Sequence, residues 1–257
     1  MTTTTTGILT GKATLIIGAS QGIGAAAARH FAAEGARLVL GARNLEATTA
    51  LRDELRAQGH HAESVFVDVT DGDTIAAAVA HCVETYGRLD AAFNNAGFNT
   101  LDNFHDYSDE DYDRVLAVNL KGTFLSMQHE IRAMLASGGG SIVNTSSVGG
   151  FVGNFGIAPY IAAKHGVIGL TKATAFEYGQ SGIRINAIAP GSTATEMLIG
   201  GLAQTPPDIA AKFNTASPMN RMGRPEEIPP AAAWLLSDQA SFVTGITMPV
   251  DGGYLVP

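Results

Sequence analysis

With 257 residues, 46% of them hydrophobic, the chain holds enough apolar material for one large α/β domain and nothing that calls for a second. A formal net charge of −8, with only 16 Lys and Arg and no basic run, excludes the electrostatic footprint of a nucleic-acid binder. No stretch reaches about 18 consecutive apolar residues and Met1 to Lys12 has no basic-then-apolar leader, so neither a membrane partner nor secretion is expected and a cytoplasmic location is the default. Cys82 is the only cysteine, which excludes an internal disulfide and a cysteine zinc cage, and no metal is expected.

In chain order, residues 1–11, with the low-complexity run Thr2 to Thr6, read as a disordered tail. Residues 12–257 read as one domain, because short apolar runs then alternate with helical segments and leave no room for a linker, the pattern of βαβ units on a parallel sheet. Strands are expected at Ala13 to Ile17, Leu38 to Leu40, Ser64 to Val67, Ala91 to Phe93, Ser141 to Asn144, Ile183 to Ile188 and Ile246 to Val250. Helical periodicity runs through Gly24 to Glu34, Leu45 to Gln58, Thr74 to Tyr86, Glu110 to Ala136, Ile157 to Tyr178 and Glu226 to Leu236. Roughly Ser192 to Pro225, broken by Pro206, Pro207 and Pro218, lacks either signal, and so long a loop is expected to be a substrate lid.

Three features of this pattern carry chemistry. Gly18-Ala-Ser-Gln-Gly22-Ile-Gly24 follows the first strand and opens the first helix, where glycines permit a sharp turn and close approach of a pyrophosphate to free helix N–H groups. After the second strand stands Ala42-Arg43-Asn44, with no acid to bind an adenosine ribose and with a guanidinium fork suited to a 2′-phosphate; Ser20 and Asn44 could add hydrogen bonds to it. Tyr160 and Lys164, four residues apart, share one helix face. A phenol with a pKa of about 10 needs roughly 3 units, about 4 kcal/mol, of help to act near neutrality, and a neighbouring ammonium is expected to lower it. The pair reads as a general acid/base. No G-x-S-x-G surrounds Ser146 or Ser147 and no histidine has a triad role, His165 reading as helix surface or subunit contact, so a serine hydrolase is not indicated.

Gly18-x-x-x-Gly22-x-Gly24, Asn94-Asn95-Ala96-Gly97, Ser147, Tyr160-x-x-x-Lys164 and Pro190-Gly191, in this order and spacing, resemble the single-domain branch of the short-chain dehydrogenase/reductase family, over about Lys12 to Gly253. The resemblance implies an α/β doubly wound (Rossmann) seven-stranded parallel sheet with helices on both faces, a nicotinamide dinucleotide at its switch point, and a homotetramer built on two long helices and the C-terminal segment. Ile17 departs from the threonine often found before the first glycine. By resemblance the cofactor is held by Gly18, Ser20, Gln21, Gly22, Ile23, Gly24, Arg43, Asn44, Asp68, Val69, Asn95, Ala96, Gly97, Tyr160, Lys164, Pro190, Gly191, Thr193 and Thr195. Arg43 favours NADP(H), with NAD(H) the weaker alternative because Gln21 stands where many NADP-dependent relatives carry a second basic residue. Catalysis is assigned to Asn119, Ser147, Tyr160 and Lys164: hydride transfer between the nicotinamide and a ketone or secondary alcohol, Tyr160 moving the proton, Ser147 orienting the oxygen, and the Asn119 backbone holding a water near Lys164. Phe98, Val152, Phe155, Met197, Leu198 and Leu202 are candidate walls for a substrate with hydrophobic bulk. A non-catalytic NADP-sensing regulator and a 3-oxoacyl-thioester reductase are the alternatives on the same fold.

Overall fold

The computed structural model describes residues 7–203, 213 and 215–256; the Thr2 to Thr6 run and the middle of the expected lid, with Pro206 and Pro207, lie outside them. Seven strands, β1 (Ala13–Ile17), β2 (Arg37–Ala42), β3 (Ala62–Phe66), β4 (Ala91–Asn94), β5 (Gly140–Thr145), β6 (Ile183–Pro190) and β7 (Thr247–Val250), form one sheet in the order β3-β2-β1-β4-β5-β6-β7. All six pairings are parallel. The chain winds outward from β1 to β3, then returns to place β4 on the other side of β1, and this reversal opens a crevice at the carboxyl ends of β1 and β4.

Helices cover both faces because the strands are apolar on both. Within β1, Ile16 belongs to one core cluster and Leu15 and Ile17 to the other. On the first face lie α1 (Gly22–Ala33) and α2 (Leu45–Ala57), through Phe31, Leu51 and Leu55, and a late helix at Pro229–Leu236. The second face is packed by α3 (Gly72–Tyr86), α5 (Gly122–Ser137) and α6 (Ala158–Tyr178), with Ile75, Met127, Met134 and Ala175 contributing.

Five expectations are corrected. Residues 7–11 are not a tail: Leu9 is fully buried, and the Ile8 N–H donates to Glu34 Oε2 at 2.8 Å. β3 begins two residues earlier than Ser64, since register with β2 runs from Leu38 opposite Ala62 to Ala42 opposite Phe66. The helix expected over Glu110 to Ala136 is α4 (Asp109–Leu116), a π-helical turn at Ala117–Lys121 and then α5. There the Asn119 amide donates to Val115 O at 2.9 Å and to Phe98 O at 2.6 Å, competing with the main-chain ladder, and Gly122 N–H reaches back five residues to Ala117 O. Finally, a short helix α7 (Glu196–Leu202) lies in the segment read as irregular, its first turn capped by Thr195. The last helix, α8 (Pro229–Leu236), starts only at Pro229 because two prolines supply no N–H to an earlier turn.

One acid lies in the core. Glu130 of α5 is fully buried, accepts from Asn94 Nδ2 at 2.9 Å, and leaves Oε1 without a partner. Asn94 Nδ2 also donates to Asn144 Oδ1, whose own amide donates to Thr171 Oγ1 on α6, so four elements are tied by side-chain hydrogen bonds. Burial pushes the Glu130 carboxyl up to about 7, against a smaller lowering by Asn94. Between about pH 4.5 and 7 the folded chain keeps this proton while the unfolded chain loses it. Stability therefore falls with rising pH across that window, by up to about 3 kcal/mol, and is level on either side. Glu130→Gln should remove that slope while keeping the Asn94 bond. Urea midpoints of both proteins from pH 4.5 to 8 test this, and parallel pH curves would contradict it.

Candidate active site

The turn after β1 is shaped by close backbone approach. Gly18 has φ +88°, and a Cβ there would lie 2.6 Å from Ala96 N, so the glycine lets β1 run directly beside the Asn94-Asn95-Ala96-Gly97 turn. A Cβ on Gly24 would collide with Gly18 O, and Asn95 Nδ2 donates to that same carbonyl at 3.2 Å. Thr145 Oγ1, at the end of β5, donates to Asn95 Oδ1 at 3.4 Å. Three strand ends are thereby joined.

The N-terminus of α1, like that of α6, has no side-chain cap and no acid in its first turn, whereas α2, α3, α4 and α7 are capped by Asn44, Asp71, Ser108 and Thr195. Uncapped N–H groups and a positive helix end, approached by glycines, fit a dinucleotide pyrophosphate. Ser20 and Ile23 are partly buried beside this end and Gln21 is exposed.

At the edge of this crevice, Arg43 is exposed. Asp68, partly buried, accepts from Thr70 N at 2.9 Å and Thr70 Oγ1 at 2.8 Å; these bonds, with the more distant Arg43 charge, hold its carboxyl below the usual range despite partial desolvation. Asn44 Oδ1 accepts from Ala47 N at 3.0 Å as the cap of α2, which leaves only its Nδ2 to meet a ligand. Val69 differs from expectation: its side chain is buried in the core, so close to α5 that a Cβ on Gly122 would lie 2.8 Å from it, and only its backbone can border an adenine.

Ser147, Tyr160 and Lys164 meet at the carboxyl end of β5. Lys164 is buried and its ammonium donates to Thr145 O at 2.8 Å, 5.4 Å from the centre of the Tyr160 ring. The two serines separate cleanly. Ser146 is buried and donates to Lys164 O at 3.0 Å, a structural bond, while the partly exposed Ser147 hydroxyl accepts from Gly149 N at 3.1 Å and lies near the Tyr160 ring, a Cβ built on Gly149 being 3.5 Å from Ser147 Oγ and 3.8 Å from Tyr160 Cε1. His165 is exposed, with Nδ1 2.9 Å from Ile161 O of its own helix.

The electrostatics depart from the sequence expectation. Burial raises the Tyr160 phenol, with the Ser147 hydrogen bond opposing, and the Lys164 ammonium does not bring it down. Burial also lowers Lys164, to about 8. Both shifts have one cause: loss of water penalises phenolate and ammonium alike.

Asn119 reaches this centre through Gly97, where an added Cβ would lie 3.3 Å from Asn119 Oδ1 and 4.0 Å from Lys164 Nζ. Its amide fixes both backbone groups of Phe98, accepting from Phe98 N at 3.3 Å and donating to Phe98 O. Pro190 ends β6 in the core, and Gly191 packs so tightly on Asp251 that a Cβ would lie 2.8 Å from its Cα. Thr193 is buried and bridges to Gly223, and Thr195 lies against the glycine turn, its Cγ2 3.1 Å from a Cβ built on Gly22. Among the expected substrate walls, Val152, Phe155 and Met197 are exposed and Phe98, Leu198 and Leu202 partly buried. Sequence reasoning missed Thr145 and Tyr107, whose phenol lies 2.7 Å from Thr100 O and 2.8 Å from Gly156 O. Neither stands in a motif or a periodic pattern.

Comparison with known proteins agrees with this geometry. A family model described as Enoyl-(Acyl carrier protein) reductase matches residues 18–255. The chain is 51% identical over 255 residues to an A-factor type gamma-butyrolactone 1'-reductase (1S-forming) of Streptomyces virginiae, covering 97% of this chain and 98% of that protein. It is 43% identical over 249 residues to a cyclohexanol dehydrogenase of Acinetobacter sp. (strain SE19), covering 95% and 94%. The crystal structure of levodione reductase superposes with a TM-score of 0.91 at 38% identity, covering 95% of this chain and 97% of that one. The chain belongs to the short-chain dehydrogenase/reductase family, oxidoreductases that act on CH–OH and C=O groups with a nicotinamide cofactor.

Proposed function

We propose that the protein is an NADP(H)-dependent ketone reductase and secondary alcohol dehydrogenase, in which Tyr160 moves the proton, Ser147 holds the substrate oxygen and Lys164 supports both phenol and cofactor ribose. The observation that carries this reading is the convergence of the Ser147 hydroxyl, the Tyr160 ring and the buried Lys164 ammonium, 5.4 Å from the centre of that ring, at the strand ends where the uncapped helix α1 begins. The cofactor would be held by the Gly18 to Gly24 turn, Asn95 and the strand ends, and when bound would supply or accept the hydride.

A phenol whose pKa is raised keeps its proton at neutral pH, which suits donation to a carbonyl oxygen during reduction. Ser147, whose hydroxyl accepts from Gly149 N and keeps its own proton available, would donate to that oxygen and fix it within reach. Lys164 remains mostly cationic up to its lowered value of about 8 and would hold the hydroxyls of the cofactor ribose beside the phenol. Tyr160 and Lys164 are both in place, which a non-catalytic sensor would not require.

For the substrate, partly apolar walls and the name cyclohexanol dehydrogenase of one relative favour a ketone on or beside a small ring, with cyclohexanone the first probe. Exposed Phe124 and Leu135 on α5 and Phe176 on α6 support assembly through these helices into a homotetramer. No described helix is long and apolar enough to cross a membrane.

Arg43, exposed at the crevice and unaccompanied by an acid at the end of β2, favours NADP(H). Hydrogen bonds to a charged group contribute about 1.5–3 kcal/mol, roughly 10- to 100-fold in relative kcat/KM. Arg43→Ala should lose most of that preference through weaker NADP(H) binding, and a parent enzyme equally efficient with NAD(H) would refute the assignment.

Tyr160→Phe should lower turnover about 10²- to 10⁴-fold and leave NADPH affinity, by fluorescence titration, within a few-fold. Ser147→Ala should cost turnover alone, and Lys164→Ala both turnover and cofactor binding. In the unaltered enzyme, reduction should decline as pH rises through about 8, where the Lys164 ammonium discharges. Substantial reductase activity in a folded Tyr160→Phe protein would show that another group donates the proton.

A further inference from the structure

The loop after β4 and the loop before α6 approach each other beyond Tyr160. The first is anchored at its start: Asn119 holds both backbone groups of Phe98, and the Arg114 guanidinium lies 4.2 Å from the centre of the Phe98 ring. At its far end it meets Gly156, four residues before Tyr160. Asp102 N–H donates to Gly156 O at 3.0 Å, and the Tyr107 phenol reaches the same carbonyl at 2.8 Å and Thr100 O at 2.7 Å. Gly156 has φ +74°, and a Cβ there would lie 3.2 Å from Leu101 Cδ1, so the junction is closed by packing as well.

A phenol has one proton, so Tyr107 donates to one carbonyl or shares its proton between the two. In either case one partly buried side chain links both loops at a point that feeds directly into the first turn of α6. Val152 and Phe155 are carried by one loop, Leu101 and Phe104 by the other, and all four are exposed apolar side chains.

We infer that Tyr107 is a positioning residue for substrate: its phenol fastens the 99–106 loop to the 151–157 loop and so fixes a single apolar wall relative to the Tyr160 hydroxyl. The inference rests on the ketone-reductase reading of the same site. It separates Tyr107 from the proton-transfer machinery, which it does not touch. It also makes the effect depend on the substrate, because a small ketone is held by Ser147 and Tyr160 alone whereas a bulky one uses the wall.

Tyr107→Phe keeps the ring and removes the bond. Hydrogen exchange followed by mass spectrometry should show amides of 99–106 and 151–157 exchanging faster together, about fivefold, the size of one net hydrogen bond. Exchange elsewhere in the sheet should stay unchanged. KM for an alkyl-substituted cyclohexanone should rise about fivefold, with kcat and NADPH affinity within twofold and kcat/KM for acetone unchanged. Gly156→Ala, which perturbs the same junction from the other loop, should give the same pattern and add little in the double variant.

Unchanged exchange in the two loops, faster exchange throughout the chain, or equal losses for acetone and the bulky ketone would each overturn the inference. The exchange measurement needs no substrate. An unaltered protein that reduces no ketone would therefore sink the reductase reading and the substrate role with it, while an active enzyme indifferent to Tyr107→Phe would sink only this inference.

Discussion

A cation buried at the end of β5 organises the site. The Lys164 ammonium is almost entirely removed from water, a position that costs free energy unless hydrogen bonds replace the lost hydration. The replacement recorded is the Thr145 carbonyl, at the point where β5 leaves the sheet. This bond, together with Ser146 Oγ donating to Lys164 O, holds α6 against β5 at one height. The spacing of Ser147 and Tyr160 follows from it, because each lies one short step along the chain from an atom already fixed. Moving the ammonium by one helical turn would disconnect the phenol from the serine as well.

The same economy of fixed points governs the cofactor side. Gly18, Gly24 and Asn95 form a knot in which backbones approach closer than any side chain would allow, and Asn95 passes the constraint to Thr145. The turn that would face a pyrophosphate and the strand end that holds Lys164 are therefore linked through two side chains. Glu130 sits behind this arrangement, joined through Asn94 to Asn144 and Thr171. A buried acid of this kind destabilises the fold when ionised, and it gains in return a fixed relation between the helices α5 and α6 and the central strands.

How much of this was legible in the sequence depended on range. The alternation of strands and helices on a parallel sheet, the glycine turn and the Tyr160–Lys164 pair follow from local patterns, whereas the doubly wound sheet and the choice of Ser147 come from the family resemblance. Long-range competition was not legible. The break at Asn119 arises because its amide bonds Phe98, 21 residues earlier, at the expense of helical regularity. Leu9 is buried because Glu34 receives the chain before β1, although a threonine run precedes it. The Tyr160 phenol is raised and not lowered because burial, which no spacing rule reports, outweighs the opposing effect of the Ser147 hydroxyl. Tyr107 carried no signal at all, since its partners are carbonyls of two irregular loops.

The two ends of the strands are finished differently, and this asymmetry places the chemistry. At the amino ends, charges are consumed internally: Lys12 pairs with Asp238 at 2.7 Å, Arg88 with Asp90 at 2.5 Å, and Asp90 also accepts from Ala13 N at 2.9 Å. Arg37 donates to Gly11 O at 3.0 Å and stacks on Tyr86. At the carboxyl ends, the first helix is left uncapped, Arg43 is exposed, and the partly exposed Ser147 hydroxyl accepts from a turn amide close to the Tyr160 ring. A parallel sheet points every strand's carboxyl end the same way, so groups left available there fall in one crevice and not scattered over the surface. Ion pairs close one end of the sheet, and the polar groups left available lie together at the other, where the glycine turn and the Tyr160 phenol share one crevice.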